Sequence, residues 1–91
     1  MDGLNNKNKK ILERIFTKPI PCDIDFQDVV TLFEALGGKK LERGKTSGSA
    51  VALVLGNNKF VTIHKPHPEK VMDRGAIKSI REFLEENGII P

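Results

Sequence analysis

Tryptophan and tyrosine are missing from this 91-residue chain, and five phenylalanines make up its whole aromatic content. Four of them, Phe16, Phe26, Phe33 and Phe83, fall within helical hydrophobic patterns and are expected in the core. The flat side chains on which unpaired bases commonly stack are therefore poorly supplied, which argues against strong base readout. Cysteine occurs once, as Cys22, so an internal disulfide is excluded, in keeping with a reducing cytosol as the expected, cytoplasmic compartment. Cys22 has no histidine near it in sequence and reads as a small, buried or half-buried apolar residue. No apolar run approaches the roughly 20 residues a bilayer-spanning helix requires. The first ten residues are predominantly polar, unlike a secretory signal, so no membrane partner is expected.

What remains is ordinary globular composition, 38% hydrophobic and 30% charged. The length predicts one domain over residues 1–91. The net charge is +3, unevenly spread. Residues 19–37 carry four acidic side chains and no basic one. Residues 38–72 carry seven basic side chains, Lys39, Lys40, Arg43, Lys45, Lys59, Lys65 and Lys70, against two acidic ones. A cationic middle of this kind attracts phosphate or an acidic protein surface; solvated strand edges would have the same composition.

The hydrophobic period predicts helix, helix, three strands, helix. Asn5 or Asn6 can cap a first helix bearing Ile11, Leu12, Ile15 and Phe16, and Pro19 and Pro21 prevent its continuation. This additional N-terminal helix belongs to residues 1–18. Asp25 reads as the cap of a second helix, which Gly37 and Gly38 stop. Lys39–Arg43 is a short strand, "GKTSG" a loop, and "SAVALVL" and "KFVTIH" a hairpin around "GNN". A two-residue turn at Asn57–Asn58 would mix apolar and polar side chains on both faces. A three-residue loop, Gly56–Asn58, gathers Val51, Leu53, Val61 and Ile63 on one face and Ala50, Ala52, Thr62 and His64 on the other. The second register segregates better and sets Ala50 beside His64. Asp73 can cap a last helix burying Ala76, Ile77, Ile80, Phe83 and Leu84, ended by Gly88. The expected architecture is α+β, with helices on one face of a three-stranded antiparallel sheet and the other face open.

Both histidines, His64 and His67, fall in "FVTIHKPHPEK", where the last strand ends. Metal binding is one reading, but two imidazoles need further ligands, and Cys22, Glu69 and Asp73 are the only plausible ones. Acid–base chemistry on RNA is a second. Imidazole can take a 2′-hydroxyl proton or protonate the leaving oxygen, without a metal, if cations such as Lys45, Lys65 and Lys70 stabilise the phosphorane. A purely structural role at a strand end is the third. "GKTSGS" is not a phosphate-binding Walker loop, because the upstream glycine is missing and a strand follows. It can still bring Lys45, Thr46 and Ser47 to a phosphate oxygen, or simply turn the chain.

Gly48-Ser49 opening the second strand, Pro66-His67-Pro68 after the third, and Gly75-Ala76-Ile77 opening the last helix resemble, in order and spacing, the HicA family over about Asp25 to Gly88. These are small toxins of type II toxin–antitoxin systems, and the N-terminal helix is similar to that of the longer branch. The resemblance implies a double-stranded-RNA-binding-domain-like fold, α-α-β-β-β-α. It implies a metal-independent endoribonuclease acting on mRNA, with no cofactor, and a HicB-type antitoxin that covers the active face. Short members carry a catalytic histidine directly after the Gly-Ser; here that position is Ala50, which can neither accept nor donate a proton. The chain can therefore be an inactive toxin kept as a binder, carry a deliberately replaced residue, or have moved its chemistry to His64. His64-Lys65 is itself an addition relative to the short members. Carried over residue by residue, the resemblance puts position 50 at the catalytic centre and His67 in the Pro-His-Pro, where it orients the loop, contacts RNA or shares in catalysis. The strand register adds His64 as the candidate acid–base residue beside Ala50, and Lys45, Ser49, Lys65 and Lys70 are the candidate RNA contacts.

Overall fold

The computed structural model describes residues 4–42, 50–64 and 71–91. The observed order is the expected one: α1 (Asn6–Ile15), α2 (Phe26–Ala35), β1 (Lys39–Glu42), β2 (Ala50–Val54), β3 (Phe60–His64) and α3 (Arg74–Glu86). The sheet is antiparallel with β2 in the middle. Helices α2 and α3 pack on one side of it, and α1 lies against both of these helices rather than against the sheet. No helix among the described residues is long and apolar enough to cross a membrane.

Local chemistry accounts for where the helices start. Each begins at a side chain that accepts from an otherwise unpaired backbone N–H. Asn5 accepts from Asn8 N at 2.8 Å, Asp25 from Gln27 N at 2.8 Å and Asp73 from Ala76 N at 2.7 Å. Two helices also end alike. Gly37 and Gly88 adopt φ of +85° and +75°, and the residues after them donate back to Phe33 O and Leu84 O at 2.8 and 2.9 Å. That left-handed step closes the last helical carbonyls, and glycine makes it without a Cβ clash.

The core lies between the sheet and its helices. Val51, Leu53 and Ile63 project from the sheet onto Val29, Leu32, Phe33, Ile77, Ile80 and Leu84, all of them buried. Phe33 and Phe83 stack with ring centroids 6.3 Å apart. Of the four phenylalanines expected inside, Phe26 and Phe33 are buried, while Phe16 and Phe83 are partly covered. Leu12 and Ile15 of α1 are buried in the same cluster, and Arg14 pairs with Asp23 in the segment that follows α1. The first helix thus contributes side chains to the common core. Leu12→Ala is expected to cost about 2–5 kcal/mol, by lost transfer energy plus a cavity. Urea denaturation checks this; a loss under about 0.5 kcal/mol, the level of a surface change, would mean that α1 is only appended.

One expectation needs correction. Cys22 is exposed rather than buried or half-buried. It sits in the irregular segment between α1 and α2, which leaves its side chain in solvent.

Candidate active site

The open face of the sheet is set by the turn between β2 and β3. Gly56, Asn57 and Asn58 form a three-residue loop, with Asn58 at φ +69°. Leu55 N donates to Lys59 O at 2.8 Å, and Lys59 N donates to the Asn57 side chain at 3.0 Å. A left-handed third residue is the usual closure of such a loop. The pairing that follows is Val54 with Phe60, Ala52 with Thr62 and Ala50 with His64. This is the register in which apolar and polar side chains separate.

Alternation along the strands then assigns the faces. Val51, Leu53 and Ile63 are buried under the helices. Lys39, Leu41, Ala50, Ala52, Val54, Phe60, Thr62 and His64 share the other side, in the rows given by the two pairings. His64 and Thr62 are exposed, and Ala50 is half-buried. Ala52 is buried even here: it is a methyl on the central strand between the longer Leu41 and Thr62.

The backbone phase decides how near Ala50 and His64 come. With Leu55 N bonded to Lys59 O, the hydrogen-bonded pairs of an antiparallel ladder fall at every second position from there, on the core-facing residues. Ala50 and His64 therefore form a non-hydrogen-bonded pair, in which Cα atoms approach to about 4.5 Å and side chains are closest. A group at position 50 and the imidazole of His64 are thus side by side on an accessible surface.

β3 is an edge strand, and the start of α3 stands beside it. Between them lies a shallow cleft of about 260 Å³, lined by Thr62, Ile63, His64, Asp73, Gly75, Ala76 and Ser79. Asp73 is committed to its cap through one oxygen. Gly75 leaves room at that corner: a Cβ there would lie 3.3 Å from Asp73 Oδ1. Ser79 was not anticipated as part of this site. It follows Gly75 by one helical turn, so Gly75-Ala76-Ile77 was the available signal.

Of the residues singled out in sequence, Ala50 and His64 are brought together. Lys45, Ser49, Lys65, His67 and Lys70 lie outside the described residues, as does the "GKTSG" loop. Lys39 is exposed on the open face. Lys40 is turned to the other side, with its Nζ 3.3 Å from Glu42 Oε1 and 6.0 Å from the Phe26 ring centroid. Among the described residues, no group of three or more His, Cys, Asp or Glu side chains could hold a metal ion.

No characterised protein sequence and no solved structure matches the chain significantly. A family model does match, that of the HicA toxin of bacterial toxin–antitoxin systems, over residues 26–89. The matched span takes in α2, the whole sheet and α3, and leaves out α1. It contains every residue of the cleft and both members of the Ala50–His64 pair. Because the matched region covers most of the chain and the entire open-faced sheet, the chain belongs to the HicA toxin family.

Proposed function

We propose that this protein is an RNA-binding toxin whose active face is the open side of the sheet, and that it cleaves mRNA by acid–base catalysis through His64. The observation that carries this reading is the pairing of an exposed His64 with Ala50, the position where short family members hold their catalytic histidine. An imidazole one strand away, on the same face and at closest cross-strand approach, can reach the same phosphodiester. It accepts the 2′-hydroxyl proton as the 2′-oxygen attacks phosphorus, the bond to the 5′-oxygen breaks, and that oxygen takes a proton. The products are a cyclic phosphate and a free 5′-hydroxyl. His67 is the candidate partner acid. Lys45, Lys65 and Lys70 are the candidate cations for the phosphorane and Ser49 a phosphate contact. The family also implies a protein partner, and a HicB-type antitoxin covering this face is the natural inhibitor. The place of action is where mRNA is found, the cytoplasm.

Ala50 favours a second reading. Without a histidine there, the chain can act as a non-catalytic module that grips RNA or the antitoxin. One assay separates the two. Purified protein is incubated with labelled mRNA in the presence of a chelator. The catalytic reading expects cleavage, reduced about 100-fold or more by His64→Ala, the lower range for loss of a positioned acid–base group. Salt-sensitive binding without cleavage would establish the binding module instead, and no RNA binding at all would leave a protein partner.

A further inference from the structure

The sheet has two edges, and they are built differently. β1, at one edge, reads "KKLE", three charged side chains in four residues. Charges of this kind keep an edge strand from pairing with another chain. β3, at the other edge, reads "FVTIH". It holds no lysine, carboxylate, glycine or proline, its middle is the β-branched run Val61-Thr62-Ile63, and its pairing with β2 runs without a bulge. The phase of the ladder decides what this edge presents. With the hydrogen-bonded pairs on the core-facing residues, Val61 and Ile63 bond to β2, and the N–H and C=O groups of Thr62 and His64 point off the sheet. These two residues lie about 7 Å apart, one two-residue repeat of an extended chain.

The cleft beside α3 runs along that edge. Thr62, Ile63 and His64 all line it. Consecutive strand residues turn to opposite faces, so all three border one cleft only where it follows the side of the strand. We infer that this cleft takes an extended peptide segment of the antitoxin, added to β3 as a fourth strand between the sheet edge and α3. This rests on the toxin–antitoxin reading above and refines it. Charge selects a peptide over RNA here. Asp73 borders the cleft, and its Oδ1 accepts from the Ala76 N–H. A carboxylate in that place repels a phosphate and suits a basic or hydroxyl side chain. The helix wall is Gly75, Ala76 and Ser79, small residues that leave room for the side chains of an inserted strand. In such additions main-chain bonds to the free edge supply affinity, and the pockets beside it supply selectivity. A few residues of strand cover only part of the roughly 800 Å² that a stable interface takes from each partner. The antitoxin therefore continues onto neighbouring surface, and the open face adjoins β3. The added strand runs past His64 and lays the rest of the antitoxin over that face.

The test uses the HicB-type protein of the neighbouring reading frame as the probe. In amide hydrogen exchange, Thr62 and His64 should exchange quickly in the free chain, unlike Val61 and Ile63, and become protected in the complex. Thr62→Pro deletes the outward N–H, a change an edge strand tolerates, and circular dichroism verifies the fold. It is expected to weaken antitoxin binding about 5- to 150-fold, the range for a buried carbonyl left without its donor. Thr62→Val keeps the N–H and loses only the hydroxyl, and should bind as the parent does. Ser79→Phe fills the cleft from α3 and should weaken binding without touching the strand. If the antitoxin binds while Thr62 and His64 stay unprotected, strand addition is overturned, whether or not Thr62→Pro folds. Weakened RNA binding with unchanged antitoxin binding in Thr62→Pro and Ser79→Phe overturns it too, and gives the cleft to RNA. A HicB-type protein that does not bind the parent chain instead overturns the antitoxin reading itself.

Discussion

Ala50→His is expected to raise the rate of RNA cleavage by about 100-fold or more, the lower range for one well-placed acid–base group. The geometry favours the substitution. Position 50 opens β2 on the uncovered face and is half-buried, so an added ring has solvent beside it. Its cross-strand neighbour is His64, and in a non-hydrogen-bonded pair the two rings would stand within reach of one phosphodiester. One imidazole can then take the 2′-hydroxyl proton while the other supplies the leaving oxygen. Single-turnover cleavage of labelled mRNA, compared among the parent protein, Ala50→His and Ala50→His with His64→Ala, measures the gain and divides it. A small effect of His64→Ala in the Ala50→His background would assign the chemistry to position 50 alone. An Ala50→His protein that folds, binds RNA and cleaves no faster than the parent would remove the open face from consideration as the catalytic surface.

Gly38→Ala is expected to be the most damaging added methyl among the glycines of the described residues. A Cβ at Gly38 would run into the Val54 carbonyl, with the carbonyl carbon at 2.8 Å and Leu55 Cα at 3.0 Å. All three atoms are backbone, so no flexible side chain can swing away. Relief requires moving the start of β1 from β2, where Lys39 pairs with Val54. Displacing that end would break the ladder and carry Lys39 and Leu41 off the open face. The expected cost is about 4 kcal/mol or more, in the range reserved for gross clashes, out of a total stability of about 5–15 kcal/mol for a domain. Thermal denaturation should show a midpoint lowered by more than about 15 °C. A midpoint within a few degrees of the parent would mean that the two strands can separate there at little cost.

These predictions differ in how visible they were beforehand. The Ala50–His64 pairing was readable because it depends on one turn and a period of two. Val51, Leu53, Val61 and Ile63 can share a face only if Gly56–Asn58 forms a three-residue loop, and burial enforces that choice. The special demand on Gly38 was not readable. Next to Gly37 it looks like a second helix stop, yet its φ is not positive and only Gly37 makes the left-handed step. Its need for a bare Cα comes from Val54, 16 residues further along the chain. The cleft has the same origin: Ser79 meets β3 because α3 packs beside the sheet edge.

Sequence alone determined the order of the elements, the caps Asp25 and Asp73 of the second and third helices, the hairpin register and the family to which the motifs belong; for the first cap it left Asn5 or Asn6. Those signals act within a few residues or repeat with a strand's or helix's own period, so they survive without knowledge of distant neighbours. Tertiary structure decided that Gly38 is pressed against β2, that Cys22 is exposed, that Ala52 is shaded on an otherwise open face, and that the polar corner of α3 stands beside His64. It also decided that Phe60 lies on that same face, 52% exposed. Each of these depends on which surfaces pack together, and packing joins residues whose spacing along the chain carries no trace of the contact.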